Sequence, residues 1–231
     1  MYEDFRSRQR KLSYFRLQPN SQHNKYMPIF TRIALAAALS AVTLAQPAQW
    51  TPLIEGQSLK GWAETPFSGH GKVEIKDGIL ILGKGHQTGI NFKGGFPKTN
   101  YEIRFEAARI EGRDFFAGIT FPVNDSYCTW VNGGWGGSVV GLSNLDHDDA
   151  SENDTSTVRE FQQGRWYAFR LAVTESRIQA WINDELIIDA DIAGRQVALR
   201  PGEDDLSIPL GFSSYGTLAH LRKVEYRRIK E

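Results

Sequence analysis

The chain has 231 residues, 41% of them hydrophobic and 12% aromatic, which is enough to bury the core of one large domain or two small ones. Basic and acidic side chains number 27 each, and no cluster of positive charge indicates a phosphate-binding surface, so nucleic acid is excluded as a partner. The only cysteine, Cys128, excludes an intramolecular disulfide, so apolar packing must hold the fold together.

The first 45 residues carry two segments that we predict are absent from the mature protein. Residues 1–26 are polar and basic, which indicates a disordered leader, untranslated if Met27 rather than Met1 is the initiator. Residues 27–45 show a secretory signal pattern, a basic residue and an apolar run before a predicted cleavage after Ala45. The run is shorter than the roughly 20 residues that span a bilayer, so we expect a secreted or periplasmic protein without a stable membrane span. A permanent anchor is the alternative.

Removal of residues 1–45 changes the charge of the chain. This segment holds seven basic and two acidic residues, so residues 46–231 carry 20 basic and 25 acidic side chains, a formal charge of −5. A net negative domain is a further argument against nucleic acid as a partner. The sequence does not define the oligomeric state.

Short strand patterns separated by turn residues follow one another from Trp50 onward. Asp77-Gly78 is a strong hairpin signal between two of these patterns. In residues 101–108, apolar and charged side chains alternate strictly, which puts the charges on one face of a strand. Three later patterns predict a meander, and the last two predict a closing hairpin around Tyr215-Gly216. The patterns cover residues 73–76, 79–82, 101–108, 165–174, 177–182, 185–191, 208–214 and 219–230.

These patterns predict an all-β protein with two antiparallel sheets packed face to face, a jelly-roll sandwich preceded by a signal-peptide helix. No internal repeat, low-complexity tract or linker interrupts the region, so residues 46–231 are expected to form one domain. The charged face that carries Glu102, Arg104 and Glu106 is either solvated surface or the lining of a groove.

Four stretches carry a family likeness: WTPLIEGQSLKGW, YEIRFEAARI, GRWYAFRLAVTESRIQAWINDELIIDAD and PLGFSSYGTLAHLRKVEYRRI. In this order they resemble the 3-keto-disaccharide hydrolase family. The resemblance implies a concanavalin A-like lectin/glucanase sandwich over residues 50–230, acting on a disaccharide or glycoside oxidised at C3 of one sugar. The stretch 130–154, WVNGGWGGSVVGLSNLDHDDASEND, differs from the Gly-Tyr-Glu-x-Gln-type strand of better-known members, so the chain resembles a divergent branch.

The implied reaction needs a base and a group that stabilises an enolate. A ketone at C3 acidifies the hydrogen on C2, so removal of that proton expels the aglycone, and water adds afterwards. His147 is the candidate base, since a neutral imidazole titrates near neutral pH, and Asp146 is its candidate orienting group. Glu106 is the rival base, and Arg104 the candidate for stabilising the enolate.

Binding of the sugar is assigned to the glycine-rich part of the same stretch. Trp135 and Trp130 offer aromatic platforms, Asn132 offers an amide, and the surrounding glycines let the backbone approach a ligand. Trp130 is equally suited to the core of the sandwich. The whole hypothesis requires that the charged face of residues 101–108 and the stretch 130–154 converge on one hollow.

The acidic loop after the glycines has two interpretations. Asp148, Asp149 and Asp154 offer oxygen ligands for calcium or another divalent cation, or they belong to a solvated loop together with His147. Zinc is not expected because no His/Cys cluster has ligand spacing, and the identity of any cofactor stays unknown.

Two further function classes stay open beside the hydrolase. The same sandwich with its tryptophans suits a non-catalytic carbohydrate-binding module, and it also suits an envelope domain that binds another protein. Carbohydrate is the expected ligand in the first two cases, but the sequence identifies neither the sugar nor its linkage.

Overall fold

The computed structural model describes residues 49–230, which form two antiparallel β-sheets packed face to face. This confirms the predicted all-β sandwich. The predicted leader and signal-peptide helix lie outside the described residues. Within residues 49–230, no helix is long and apolar enough to cross a lipid bilayer. A short 3-10 helix, Asp204–Ser207, accompanies the strands.

One sheet has eight strands and the other seven. The eight-stranded sheet contains β1 Thr51–Pro52, β3 Val73–Lys76, β4 Ile79–Leu82, β6 Tyr101–Glu111, β11 Trp166–Val173, β12 Arg177–Ile182, β13 Glu185–Asp191 and β15 Leu218–Arg228. The seven-stranded sheet contains β2 Trp62–Glu64, β5 Gln87–Phe92, β7 Gly118–Val123, β8 Ser126–Gly134, β9 Val139–Ser143, β10 Thr157–Val158 and β14 Gly211–Tyr215. The strand orders are β13-β12-β11-β6-β15-β4-β3, with β1 beside β15, and β10-β9-β8-β7-β14-β5-β2.

Local sequence signals fix the hairpins of the eight-stranded sheet. Asp77 and Gly78 both adopt positive φ, 53° and 73°, as a two-residue turn between β3 and β4 requires. The predicted meander is also confirmed, because β11, β12 and β13 pair in sequence order. Asn183 and Asp184 supply the positive φ values of its second turn.

The predicted closing hairpin is wrong. β14 pairs with β5 and β7 in the seven-stranded sheet, whereas β15 pairs with β6 and β4 in the eight-stranded sheet. Residues 216–217 therefore carry the chain from one sheet to the other. Apolar alternation reports which face of a strand is buried, but it does not report which neighbour the strand pairs with, so a crossover and a hairpin have the same local pattern.

Aromatic side chains from both sheets fill the space between them. Phe105 and Phe169 stack in the eight-stranded sheet, with ring centroids 5.0 Å apart and planes 12° apart. Phe212 and Trp130 meet this pair from the seven-stranded sheet, at 5.1 Å from Phe105 and 5.7 Å from Phe169. Trp130 is 0% exposed, so it belongs to the core and cannot serve as the sugar platform proposed for it.

Candidate functional site

The candidate site is a hollow of about 430 Å³ on the outer face of the seven-stranded sheet, which we call the Asp204 hollow. Its volume lies in the range of small-ligand pockets. Side chains on a strand point alternately to opposite faces, so Thr129 and Val131 face this hollow while Cys128 and Trp130 face the core. The strand residues that line it are Gln87, Thr129, Val131, Ser143, Ser213 and Tyr215.

Short side chains leave the hollow open. Thr129, Ser143 and Ser213 from three strands line it, and none is longer than a threonine. Gly118 lies beside Ser213, and a Cβ atom at this glycine would come within 3.0 Å of Ser213 Oγ. A larger residue at any of these positions would occupy space that a ligand needs.

Asp204, at the first residue of the 3-10 helix, presents a half-buried carboxyl to the hollow. Its Oδ1 accepts a hydrogen bond from Gln87 Nε2 at 3.1 Å, and its Oδ2 accepts none from residues 49–230. Burial raises the pKa of Asp204 above the usual aspartate range, and this effect outweighs the hydrogen bond from Gln87 and the nearby charge of Arg200, which lower the pKa. One oxygen of a carboxyl with raised basicity is thus available to take a proton.

Glu203, the neighbouring carboxylate, anchors the loop that carries Asp204. Its two oxygens accept hydrogen bonds from Ser68 N at 2.9 Å and from Ser68 Oγ at 2.6 Å. These bonds lower the pKa of Glu203. Glu203 is therefore a structural anion, and Asp204 is the better proton acceptor of the two.

Arg200 and Trp135 form one side of the hollow. The guanidinium carbon of Arg200 lies 5.5 Å from the centre of the Trp135 ring, and Arg200 Nη1 lies 3.9 Å from Asp149 Oδ2. Trp135 is 40% exposed, which leaves apolar ring surface for a sugar. The pair places a cation beside an aromatic platform.

Trp135 adopts a conformation that bulky residues rarely take, with φ at +48°. Two contacts hold the turn around it. Asp114 Oδ2 accepts a hydrogen bond from Gly136 N at 3.1 Å, and Arg109 Nη2 donates to the carbonyl of Gly137 at 3.1 Å. Arg109 is only 6% exposed, so this second contact lies in the interior. Strain of this kind persists where the surroundings fix it, and it is concentrated at functional sites.

Tyr215, which also lines the hollow, carries a hydroxyl. Its Oη lies 2.9 Å from His86 Nε2, within hydrogen-bond distance, and the two rings meet edge to face at 4.7 Å. A hydroxyl bonded to an imidazole can give up a proton and regain it. The hollow thus combines a base, a cation, an acid and an aromatic platform.

Arg104 and Glu106 lie on the other side of the sandwich, so the expected convergence with Trp135 is wrong. Both residues line a second hollow, of about 520 Å³, on the outer face of the eight-stranded sheet; we call it the Arg104 hollow. The strand alternation was predicted correctly, but β6 and β8 belong to different sheets whose outer faces point in opposite directions.

Glu106 is also held in a way that makes it a weak base. Arg222 Nε donates to its Oε2 at 2.7 Å, and Lys223 Nζ donates to its Oε1 at 2.6 Å. Burial raises the pKa of Glu106, but the hydrogen bonds and the positive charges of Lys223 and Arg222 together outweigh burial, so the pKa is lowered overall. A carboxylate with two cationic partners is poorly suited to taking a proton from carbon.

His147 and Asp146 do not form the expected base and orienting group. His147 is exposed in the turn that joins Leu145 to Asp148, and its side chain lines neither hollow. Asp146 accepts hydrogen bonds from Gln196 N and Arg195 Nε, at 2.9 and 2.8 Å, rather than from the imidazole. Its pKa is lowered by these two bonds.

Asn132, predicted to bind the sugar, is buried and links β8 to the residue that precedes β7. Its Nδ2 donates to the carbonyl of Ala117 at 3.0 Å. Asn132 shares the core face of β8 with Cys128 and Trp130, which is the face turned away from the Asp204 hollow. Period-two alternation along the SYCTWVNGG stretch contained this signal.

The predicted calcium ligands do not come together. Asp154 forms a bidentate salt bridge with Arg195, with both hydrogen bonds at 2.9 Å. Asp149 Oδ1 accepts hydrogen bonds from Ser151 N and Oγ, at 2.9 and 2.7 Å. Asp148 is exposed. Among residues 49–230, no group of three or more His, Cys, Asp or Glu side chains is placed to hold a metal ion.

We therefore expect that a chelator leaves the midpoint of thermal unfolding unchanged. The acidic loop has Arg195 as its counter-charge and does not need a cation. Differential scanning calorimetry with EDTA and with added calcium tests this. A midpoint that rises with calcium concentration would show specific binding to the folded state and would overturn the assignment.

The residue pattern does not single out Asp204, Arg200 and Tyr215 as site residues. Arg200 and Asp204 belong to the stretch RPGEDDLS, residues 200–207, which connects the meander to β14. A Pro-Gly pair followed by three carboxylates is a detectable loop signal, but the sequence also contains the acidic stretch 146–154. Nothing in the residue pattern alone shows which of the two loops faces a hollow.

Solved structures that resemble this chain define the class of the fold. The endo-beta-1,3(4)-glucanase SCLam is 10% identical with a TM-score of 0.53, and the alignment covers 79% of this chain and 94% of that one. The Crh5 transglycosylase is 12% identical with a TM-score of 0.53, covering 81% and 86%. At these identities the likeness concerns the fold alone, which is that of the concanavalin A-like sandwiches.

The family follows from the sequence. The sequence model of the 3-keto-alpha-glucoside-1,2-lyase-like domain matches residues 49–230, so the chain belongs to this family. The predicted resemblance is thereby confirmed, and the protein is a concanavalin A-like domain of a carbohydrate-active family. No curated protein matches the chain significantly.

Proposed function

We propose that the protein cleaves 3-keto-glycosides at the Asp204 hollow, by elimination followed by hydration. The family supplies the substrate class, and the hollow supplies groups of the kind that this chemistry needs. The predicted signal pattern of residues 27–45 supports a reaction outside the cytoplasm, in the periplasm or the medium.

Asp204 is assigned as the base that removes the proton from C2 of the keto sugar. The electron pair of the broken C2–H bond forms the C1–C2 double bond through an enolate, and the C1–O bond to the aglycone breaks. Arg200 stabilises the negative charge that develops on the C3 oxygen. Tyr215, bonded to His86, donates a proton to the leaving oxygen.

The same groups serve the second half of the reaction in reverse. Water adds its oxygen to C1 of the unsaturated ketone and gives a proton to Tyr215. Asp204, whose carboxyl proton exchanges with solvent, returns a proton to C2. The net result is hydrolysis of the glycosidic bond without a covalent intermediate. If the unsaturated ketone leaves before water adds, the same site acts as a lyase.

One observation carries this proposal: Asp204 is the acidic residue in the hollow whose pKa is raised by burial while one of its oxygens is unbonded. Perturbed carboxyls in a pocket are candidate catalytic groups. The nearby cation Arg200 and the exposed indole of Trp135 line the same hollow.

Turnover of 3-keto-trehalose by the purified protein tests the proposed function. Nuclear magnetic resonance in deuterated water is the sharpest readout, because the proposed route incorporates deuterium at C2 of the released keto sugar. Release of sugar without deuterium at C2 would exclude the elimination route. Binding without turnover would instead favour the carbohydrate-binding module.

His147→Ala is expected to leave the turnover rate within about twofold of the wild type, since its exposed side chain does not reach the hollow and most surface changes are nearly neutral. Steady-state rates with 3-keto-trehalose measure this. Loss of a hundredfold or more would return His147 to the role of catalytic base.

A further inference from the structure

We propose that the Arg104 hollow is a second binding site, which takes an acidic saccharide with its carboxylate between Arg104 and Arg170. This hollow lies on the outer face of the eight-stranded sheet, opposite the Asp204 hollow. The inference does not rest on the proposed catalytic function, because none of the groups assigned to the reaction lines this hollow.

The hollow exists because a short side chain stands among long ones. Ala168 on β11 lies directly opposite Glu106 on β6, and both line the hollow. Its volume of about 520 Å³ admits a small saccharide. Trp50 and Trp181 also line it and are half-buried, so part of each indole is exposed.

Two arginines lie side by side without a shared carboxylate. The register of β11 and β6 places Arg170 directly opposite Arg104, and like charges in this position destabilise a sheet. Arg104 Nε donates to Glu225 at 2.7 Å, but within residues 49–230 its two terminal nitrogens donate to no acceptor. Arg170 Nη1 donates to Glu102 at 2.9 Å, and its Nη2 is likewise unused. Unused N–H donors on two adjacent guanidinium groups can bind a carboxylate.

Tryptophan rings hold the guanidinium groups of Arg104 and Arg170 in place. The guanidinium carbon of Arg170 lies 3.5 Å from the centre of the Trp181 ring, and that of Arg104 lies 4.3 Å from the centre of the Trp50 ring. Stacking of this kind reduces the freedom that an arginine would lose on binding. Charged forks beside apolar rings match an acidic sugar, which has a carboxylate and apolar C–H surface.

A strained bulge adds a further cation. Lys223 has φ at +53°, and the β15 register shifts between Arg222 and Glu225. Neighbours on a regular strand point to opposite faces, yet Arg222 and Lys223 both reach Glu106. Glu106 thus has two cationic partners for one negative charge, which leaves one positive charge uncompensated. Conformations of this kind are concentrated at functional sites.

The charge around the hollow favours a carboxylate of a saccharide over a surface of densely spaced phosphates. Five cationic side chains surround the carboxylates of Glu102, Glu106, Glu225 and Asp184. The hollow is therefore locally positive by one charge, although residues 46–231 carry a formal charge of −5. The cations are Arg104, Arg170, Arg222, Lys223 and Arg227. The carboxylates at the rim repel the dense phosphates of nucleic acid or of a lipid surface, but they can accept hydrogen bonds from sugar hydroxyls.

Calorimetric titration of the full chain with trigalacturonate tests the proposal, with its methyl-esterified form as the uncharged control. We expect binding of the acid and at least about tenfold weaker binding of the ester, because charge-assisted hydrogen bonds are lost. Arg104→Gln and Arg170→Gln should each weaken binding of the acid by about tenfold. Arg177→Gln, a half-exposed arginine of the same sheet paired with Asp189, is the matched control and should bind normally.

Two further measurements keep the outcome decisive. The indole N–H resonances of Trp50 and Trp181 should shift during the titration while that of Trp135 stays fixed, which does not require a variant to fold. Asp204→Asn should bind trigalacturonate normally, which separates this site from the proposed catalytic one. Absence of binding, equal binding of acid and ester, or shifts confined to Trp135 would each overturn the proposal, as would tighter binding of duplex DNA or phosphatidylglycerol vesicles.

Discussion

Asp204→Asn is expected to lower turnover of 3-keto-trehalose by at least about a hundredfold, because a general base contributes about that much to proton transfer. Asparagine keeps the size of the side chain and can still bond to Gln87, so binding of the sugar should change little. Steady-state kinetics together with calorimetric binding separate the two effects. The matched control is Asp205→Asn, an exposed neighbour whose rate should match the wild type.

The same variant has an expected signature in stability. Burial raises the pKa of Asp204 in the folded state above its unfolded value, so the folded state is favoured while the carboxyl is protonated. That contribution is lost as the pH rises through the raised pKa. Asp204→Asn, which is neutral at every pH, should therefore unfold at a higher temperature than the wild type at neutral pH, and the difference should shrink in acid.

The turnover prediction would be contradicted if Asp204→Asn kept a turnover rate within threefold of the wild type. In that case Asp204 would not be the catalytic base.

Trp130→Ala is expected to reduce stability, whereas Trp135→Ala is expected to weaken sugar binding. Loss of the buried Trp130 ring, which packs 5.7 Å from Phe169, should cost about 3–5 kcal/mol of unfolding free energy. Loss of Trp135, which is 40% exposed, should change stability by no more than about 0.5 kcal/mol. Removing its stacking surface should instead weaken sugar binding by about tenfold.

Denaturant unfolding and calorimetric titration of both variants measure these effects. The two residues are the same type five positions apart, so each variant is the control for the other. If Trp135→Ala unfolded as readily as Trp130→Ala, the indole would be a structural element rather than a platform. A folded Trp130→Ala with specifically impaired binding would contradict its place in the core.

The parts of the fold that depend on local patterns were predictable. Alternation in residues 101–108 gave the buried face of β6 correctly, and Asp77-Gly78 gave the first hairpin. The same alternation in β8 puts Thr129 and Val131 on one face of the strand, and Trp130 and Asn132 on the other. These results need only the period of the strand.

The site was not predictable in the same way, because it depends on which sheet each strand joins. β6 and β8 show equivalent patterns, yet their outer faces lie on opposite sides of the sandwich. Asp204 comes to the hollow from a loop that packs over β5, through its contact with Gln87. Long-range contacts of this kind leave no periodic trace in the sequence. An acidic loop held by Arg195 and one that presents a free carboxyl look alike until their partners are known.

The most direct test of the account is a crystal structure of the Asp204→Asn variant soaked with 3-keto-trehalose. We predict density for the keto sugar over Thr129 and Ser213, with its C3 oxygen within hydrogen-bond distance of Arg200 and its C2 facing residue 204. The same sugar bound elsewhere on the molecule, with the Asp204 hollow vacant, would contradict the central claim that this hollow is the catalytic centre.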